Sequence, residues 1–167
     1  MKLFLSRVAV LVSVLYTLNS CTADASAPAT PTTVSQTTVP YPYTTFENET
    51  LTLINNYRLS IGLNALAKSD YISYKAEEHN NYMIANNVVN HNDFVARSED
   101  IMKTLGAKYV TENVAYNYNT PQAVLDAWLA SEGHKANLEG NYTHFGLSVR
   151  ENPTTGKKYY TNIFAKI

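Results

Sequence analysis

Apolar positions follow a helical period from the middle of the chain onward and a period of two near its end. Phe46, Thr50, Leu53, Ile54 and Tyr57 share one face, and Gly62 supplies a stop after "YRLSIG", predicting a first helix over about 46–60. Ser69 is placed to cap a second helix, in which Ile72, Ala76, His79 and Met83 recur at i, i+4, i+7 and i+11. That spacing puts His79 on the buried face, where a histidine bonded to backbone is the expectation. "ARSEDIMKTLG" reads as a third helix with Met102 and Leu105 inward and Gly106 at its end. "TPQAVLDAWLASEG" reads as a fourth, with Thr120 as cap, Pro121 at the first helical position, Val124, Ala127 and Trp128 inward and Gly133 as terminator. In "THFGLSVR" the period changes: Phe145, Leu147 and Val149 alternate with His144, Gly146, Ser148 and Arg150, and "NPTTG" turns the chain into "KKYYTNIFAKI". These two segments predict an antiparallel hairpin, and "KYVTENVAY", around Glu112, a shorter third strand. Helices followed by strands, without alternating βα units, predict an α+β fold.

The N-terminal part carries no such pattern. Lys2 and Arg7 precede an apolar run from Val8 to Leu18 that is too short to span a bilayer, so residues 1–20 read as a signal peptide. The run ends in "LNSC" at Cys21, the chain's single cysteine. This phrase resembles a bacterial lipobox, which implies that Cys21 is lipidated and becomes the first residue of the mature protein. From Thr22 to Thr45 the sequence has four prolines and one charge, a composition that cannot repay the entropy of ordering. Residues 21–45 are therefore expected to be a lipidated cysteine with a disordered tether, and residues 46–167 the folded domain. Without residues 1–20, 11 basic side chains face 14 acidic ones, which disfavours nucleic acid as a partner. The expected location is a bacterial cell envelope, with the membrane engaged through the lipid.

Candidate chemistry rests on four residues: His91 in "VVNHNDF", Glu112 in "TENVAY", and His134 and His144 in "GHKANLEGNYTHFG". Their separations are too long for any two to share a helix turn as a zincin pair does. An acid inside a strand must face water or find a partner. Six of the thirteen tyrosines (Tyr57, Tyr71, Tyr74, Tyr82, Tyr159, Tyr160) fall in predicted elements, where amphipathic packing accounts for them.

The order "LINNYRLSIGLNAL", "KAEEHNNYM", "NHNDF", "TENVAY", "AVLDAWLASEGHKANLEGNYTHFG", "YYTNIFAK" resembles bacterial members of the CAP superfamily over roughly residues 48–167. These are the SCP-like domains related to cysteine-rich secretory proteins, antigen 5 and plant pathogenesis-related proteins. The resemblance implies an α-β-α sandwich with a central antiparallel sheet and a shallow cleft where histidines and glutamates converge. By motif, His91 matches the histidine of the loop after the second helix, Glu112 the acid of the family's "GEN" phrase, and His134 the histidine of "SPGHRAN". His144 lies where a strand enters the cleft. There are departures: Thr111 and Glu132 replace the glycine and the proline of those phrases, and Ser131 stands where eukaryotic members carry a glutamate.

Two classes of function follow from these residues. One is a non-enzymatic binding module for a small molecule, lipid, glycan or protein, with His91, Glu112, Glu132, His134 and His144 lining the cleft. The other is a divalent-metal hydrolase, a peptidase or esterase, in which His91, His134, His144 and Glu112 hold zinc and activate water. A hydrogen-bonded network that only satisfies buried polar atoms is the structural alternative to both.

Overall fold

The structure, a computed structural model, describes residues 40–167. The signal peptide, Cys21 and most of the predicted tether lie outside the described residues. Among the described residues five helices and four strands follow in the order α1 (Thr45–Ser60), β1 (Ala67–Lys68), α2 (Asp70–Asn86), α3 (Phe94–Leu105), β2 (Tyr109–Tyr116), α4 (Pro121–Leu129), α5 (Glu132–Leu138), β3 (His144–Glu151) and β4 (Lys158–Lys166). The sheet order is β1-β3-β4-β2. β3 and β4 form the predicted hairpin, β2 pairs antiparallel with β4, and the two-residue β1 adds a parallel edge to β3.

Three layers result. On one face of the sheet α1, α4 and α5 enclose Leu51, Ile54, Trp128, Leu138, Phe145, Leu147, Tyr160 and Phe164. On the other, α2 and α3 enclose Ile72, Ala76, Ile101, Val110, Ile163 and Ala165. Strand alternation assigns the faces: Ile163 belongs to the α2 side and its neighbour Phe164 to the α1 side. Gly146 permits the close approach of α2, since a Cβ there would lie 2.4 Å from the Ser73 backbone nitrogen.

Several expectations are corrected by this packing. The folded domain begins before residue 46: Tyr41 is buried, its ring meets Tyr43 and Tyr74 edge-on, and its hydroxyl donates to Glu47. The buried face of α1 is Glu47, Thr50, Leu51, Ile54 and Arg58, so two charged residues occupy places that an apolar period cannot reveal. Arg58 is accommodated by donating to the carbonyls of Asn64, Leu138 and Gly140. In α3 the fully buried side chain is Ile101, with Met102 and Leu105 at the margin. Gly133 does not end the tryptophan helix. α4 stops at Leu129, and Gly133 lies in the first turn of a separate short helix, α5. β2 spans eight residues, as many as β3.

Candidate functional site

Glu112 is the centre of the arrangement. Its position in β2 opposite Ile163 turns its side chain to the α2–α3 face, where it is buried. A buried carboxylate must be paired and hydrogen-bonded to be tolerated. Arg97, on the second turn of α3, meets it in bidentate fashion: Nε donates to Oε2 at 2.9 Å and Nη2 to Oε1 at 3.0 Å. His91 donates from Nδ1 to Oε1 at 2.8 Å. That bond fixes the neutral ring as the Nδ1–H tautomer and leaves Nε2 as an acceptor on a side chain that is 48% exposed. One end of the imidazole is anchored to a buried anion, and the other faces water.

The loop carrying His91 is held in several places. His79 is buried on α2 as its period predicted, and its Nε2 donates to the Asn90 carbonyl at 2.8 Å. The same nitrogen lies 3.9 Å from Glu112 Oε1, and the ring stacks on Tyr82. Burial lowers the His79 pKa, so the ring is held neutral. Asn92 donates to the Tyr82 hydroxyl, and Arg97 Nη1 donates to the Asn92 carbonyl. Asn87 and Asp93, both at positive φ, turn the chain at the two ends of the loop. Arg97 and Asn92 are functional-site residues that motif reading missed. Arg97 was visible only as the single base within the first turns of "FVARSED", where nothing in the local sequence marks a distant partner.

His134 approaches from the other side of the edge strand. Asn113 Nδ2 donates to the His134 carbonyl at 3.0 Å, and Asn137 Nδ2 donates both to Asn113 Oδ1 and to the Glu112 carbonyl. Trp128 Nε1 donates to the Val114 carbonyl. α4 and α5 therefore cover carbonyls that β2 would otherwise expose at the sheet edge. The His134 ring is half-buried; burial chiefly, and then the nearby charge of His91, lower its pKa.

His144 is not part of this group. It opens β3 opposite Ala165, beside β1, and its Nδ1 pairs with the Thr143 hydroxyl at 2.9 Å. β4 separates β3 from β2, and on it Ala165, opposite His144, stands two residues from Ile163, opposite Glu112, so the two Cα atoms lie about 12 Å apart. Glu132 is exposed in the first turn of α5, and among the described residues it has no hydrogen-bonded partner. The structure therefore joins His91 to Glu112, brings His134 near, and leaves His144 and Glu132 apart.

Zinc needs three or four donors within about 2.0–2.3 Å of one point. Both Glu112 oxygens are engaged by Arg97 and His91, and His144 is remote. Among the described residues no three histidine, cysteine, aspartate or glutamate side chains are grouped to hold a metal ion. His91, His134, His144 and Glu112 do not form the single ligand set expected of them.

Comparison with known proteins agrees with this architecture. The profile of the CAP, or Cysteine-rich secretory protein, family matches residues 51–164. YkwD of Bacillus subtilis (strain 168), described as an uncharacterized protein, is 35% identical over 133 residues, covering 77% of this chain and 51% of its own length. YlbC of the same organism, described as an uncharacterized membrane protein, is 35% identical over 130 residues, covering 74% of this chain and 35% of its own length. The chain thus spans about half or less of the length of these relatives. Among solved structures, an outer surface protein of Borrelia burgdorferi superposes with a TM-score of 0.64 at 22% identity, covering 71% of this chain and 90% of its own. An extracellular protein containing a SCP domain from Bacillus anthracis superposes with a TM-score of 0.62 at 27% identity, covering 72% of this chain and 40% of its own. The motifs along the sequence, the three-layer sandwich and the family match agree: this chain belongs to the CAP, cysteine-rich secretory protein, family.

Proposed function

We propose that the protein is a binding module of a bacterial cell envelope, held to a membrane by lipid at Cys21 and engaging its ligand through the cleft at His91 and His134. The observation that carries this reading is that both oxygens of Glu112 are engaged by side chains of the protein. Its carboxylate accepts from both Arg97 and His91, so it serves to orient the imidazole and is not free to take a proton from water or to ligate a metal. What the cleft offers a ligand is one oriented acceptor, His91 Nε2, with a second, half-buried imidazole nearby. Such a site suits recognition better than hydrolysis. The external location is supported by the lipobox-like "LNSC" and by the descriptions of similar proteins as extracellular, outer surface or membrane proteins.

The test is zinc titration calorimetry on the full-length protein beside a His91→Ala, His134→Ala double variant, followed by thermal-shift screens with phospholipid vesicles, peptidoglycan fragments and short peptides. The binding reading expects no histidine-dependent zinc heat, and one ligand class that raises Tm in the native chain but not in the variant. Micromolar zinc binding that disappears in the variant would overturn it in favour of a metal hydrolase.

A further inference from the structure

The face of α3 beside His91 has a character of its own. His91, Asn92, Asp93, Phe94, Val95 and Glu99 line most of a groove of about 550 Å³ that runs from the imidazole along the first two turns of the helix. Val95 is 68% exposed, the highest value among the large apolar side chains described as exposed, and half-buried Phe94 lies beside it. No lysine or arginine lines this groove, and the nearest base in sequence, Arg97, is committed to Glu112. Asp93 and Glu99 carry carboxylates without a hydrogen-bonded or ion-paired partner among the described residues. Asp93 precedes α3 without capping it: it sits at φ 57°, and its side chain accepts no bond from the helix. It also borders a second cavity of about 300 Å³ between α2 and α3, where Tyr82 contributes an aromatic face.

We propose that this groove binds a cationic peptide segment, with Asp93 and Glu99 each pairing a Lys or Arg side chain, Val95 and Phe94 taking a neighbouring apolar residue, and His91 Nε2 accepting a peptide N–H. The proposal rests on the binding reading above and gives that site a ligand class. Charge complementarity selects the occupant. Two unpaired carboxylates on an apolar floor repel anionic lipid headgroups and acidic glycans, and they attract a base. An organic cation needs only one or two acceptors, whereas a metal ion needs a third donor that is not grouped here. The oriented imidazole acceptor is placed to take a backbone amide N–H of a segment whose basic side chain meets the carboxylates.

The experiment uses 15N-labelled full-length protein titrated at low salt with acetyl-Lys-Ala-Lys-Ala-amide, and separately with the Glu-Ala-Glu-Ala counterpart. An Asp93→Asn, Glu99→Gln variant serves as the groove test. Asn tolerates positive φ and both positions are exposed, so the variant removes charge without disturbing the fold. The expected result is amide shifts confined to residues 91–99 with the lysine peptide alone, and about tenfold weaker binding in the variant or on raising salt. No shifts, equal response to the glutamate peptide, or undiminished binding by the variant would overturn the proposal. A parallel His91→Ala protein separates the two readings. Lysine-peptide binding that survives it but is lost in the acid variant sustains the groove and removes His91 from recognition. Histidine-dependent binding of some other ligand, without a peptide response, sustains the cleft and overturns the groove.

Discussion

Two buried glutamates, each paired with an arginine, lie in different parts of the domain and do different work. Glu47, on α1, accepts from the Tyr41 hydroxyl, the Thr44 amide and hydroxyl, the Val149 amide and Arg150. Most of its donors are backbone groups or side chains of the segment entering the domain, and all are consumed internally. It is a clasp that ties the N-terminal segment and α1 to β3. Burial raises the Tyr41 pKa, which keeps that hydroxyl a donor. Glu112 accepts only from side chains, and one of them, His91, is half in water. The same ion pair therefore closes one site and leaves the other with an oriented nitrogen facing out. A buried carboxylate marks function when one of its partners has an unused end.

This comparison is tested first at the clasp. Glu47→Ala strips a buried partner from Arg150 and leaves the Val149 amide unsatisfied, so unfolding should cost about 3–5 kcal/mol less by urea denaturation. A loss below about 1 kcal/mol would show that Glu77, the other acid on Arg150, suffices and that Glu47 is no clasp. Glu112→Gln keeps an acceptor and the shape of the side chain, so the expected loss is smaller, about 1.5–3 kcal/mol. Its distinguishing signature is in the His91 ring: nitrogen NMR should show the fixed Nδ1–H tautomer giving way to a mixture. An unchanged ring would mean that the loop, not the acid, orients it.

The sequence displays the clasp poorly and the site better. Period and capping place α1, α2, α4 and the hairpin because an apolar stripe and a polar cap are local signals. Thr44 and Glu47 form a capping box that straddles the predicted start, yet Glu47's burial depends on Val149 and Arg150, some hundred residues away. The Arg97–Glu112 pair, only 15 residues apart, was hidden because α3 and β2 must pack before the two meet. His91 and Glu112 were legible as a pair through motif order rather than spacing, because their meeting is set by β2 register and by the turn after α2. His144 shows the limit of that reasoning. Its face was readable from strand alternation, but its distance from Glu112 depends on strand order and register, which put β4 between them and set His144 opposite Ala165 and Glu112 opposite Ile163.

A third, smaller effect separates the regions by pH. Burial opposes a charged His79 and outweighs the bond to the Asn90 carbonyl and the charge of Glu112, which favour it, while Arg97 and His91 add to the opposition, so the native pKa lies below the ordinary 6.5. His134 shifts in the same direction. Below about 6.5 the unfolded chain binds protons that the native state refuses, so stability should fall as pH drops from about 6.5 toward the native values and level off beneath them. His79→Gln, which keeps a donor for the Asn90 carbonyl, should flatten this slope in Tm measured from about pH 7.5 to about pH 5.5. An unchanged slope would assign the effect to His134 or to groups outside the site.

The smallest effect on stability should come from His91, the residue on which the proposed binding depends most. His91 is half-exposed, and removing it leaves Glu112 its bidentate bond to Arg97, so the carboxylate stays paired. His91→Ala should therefore cost less than about 1 kcal/mol, near the range of surface substitutions, while abolishing ligand-induced stabilisation. The clasp offers no equivalent, since every group on Glu47 is spent on the fold. If His91→Ala instead destabilises as much as Glu47→Ala and leaves ligand binding intact, the two glutamates are both structural, and the network around Glu112 serves only to satisfy a buried charge.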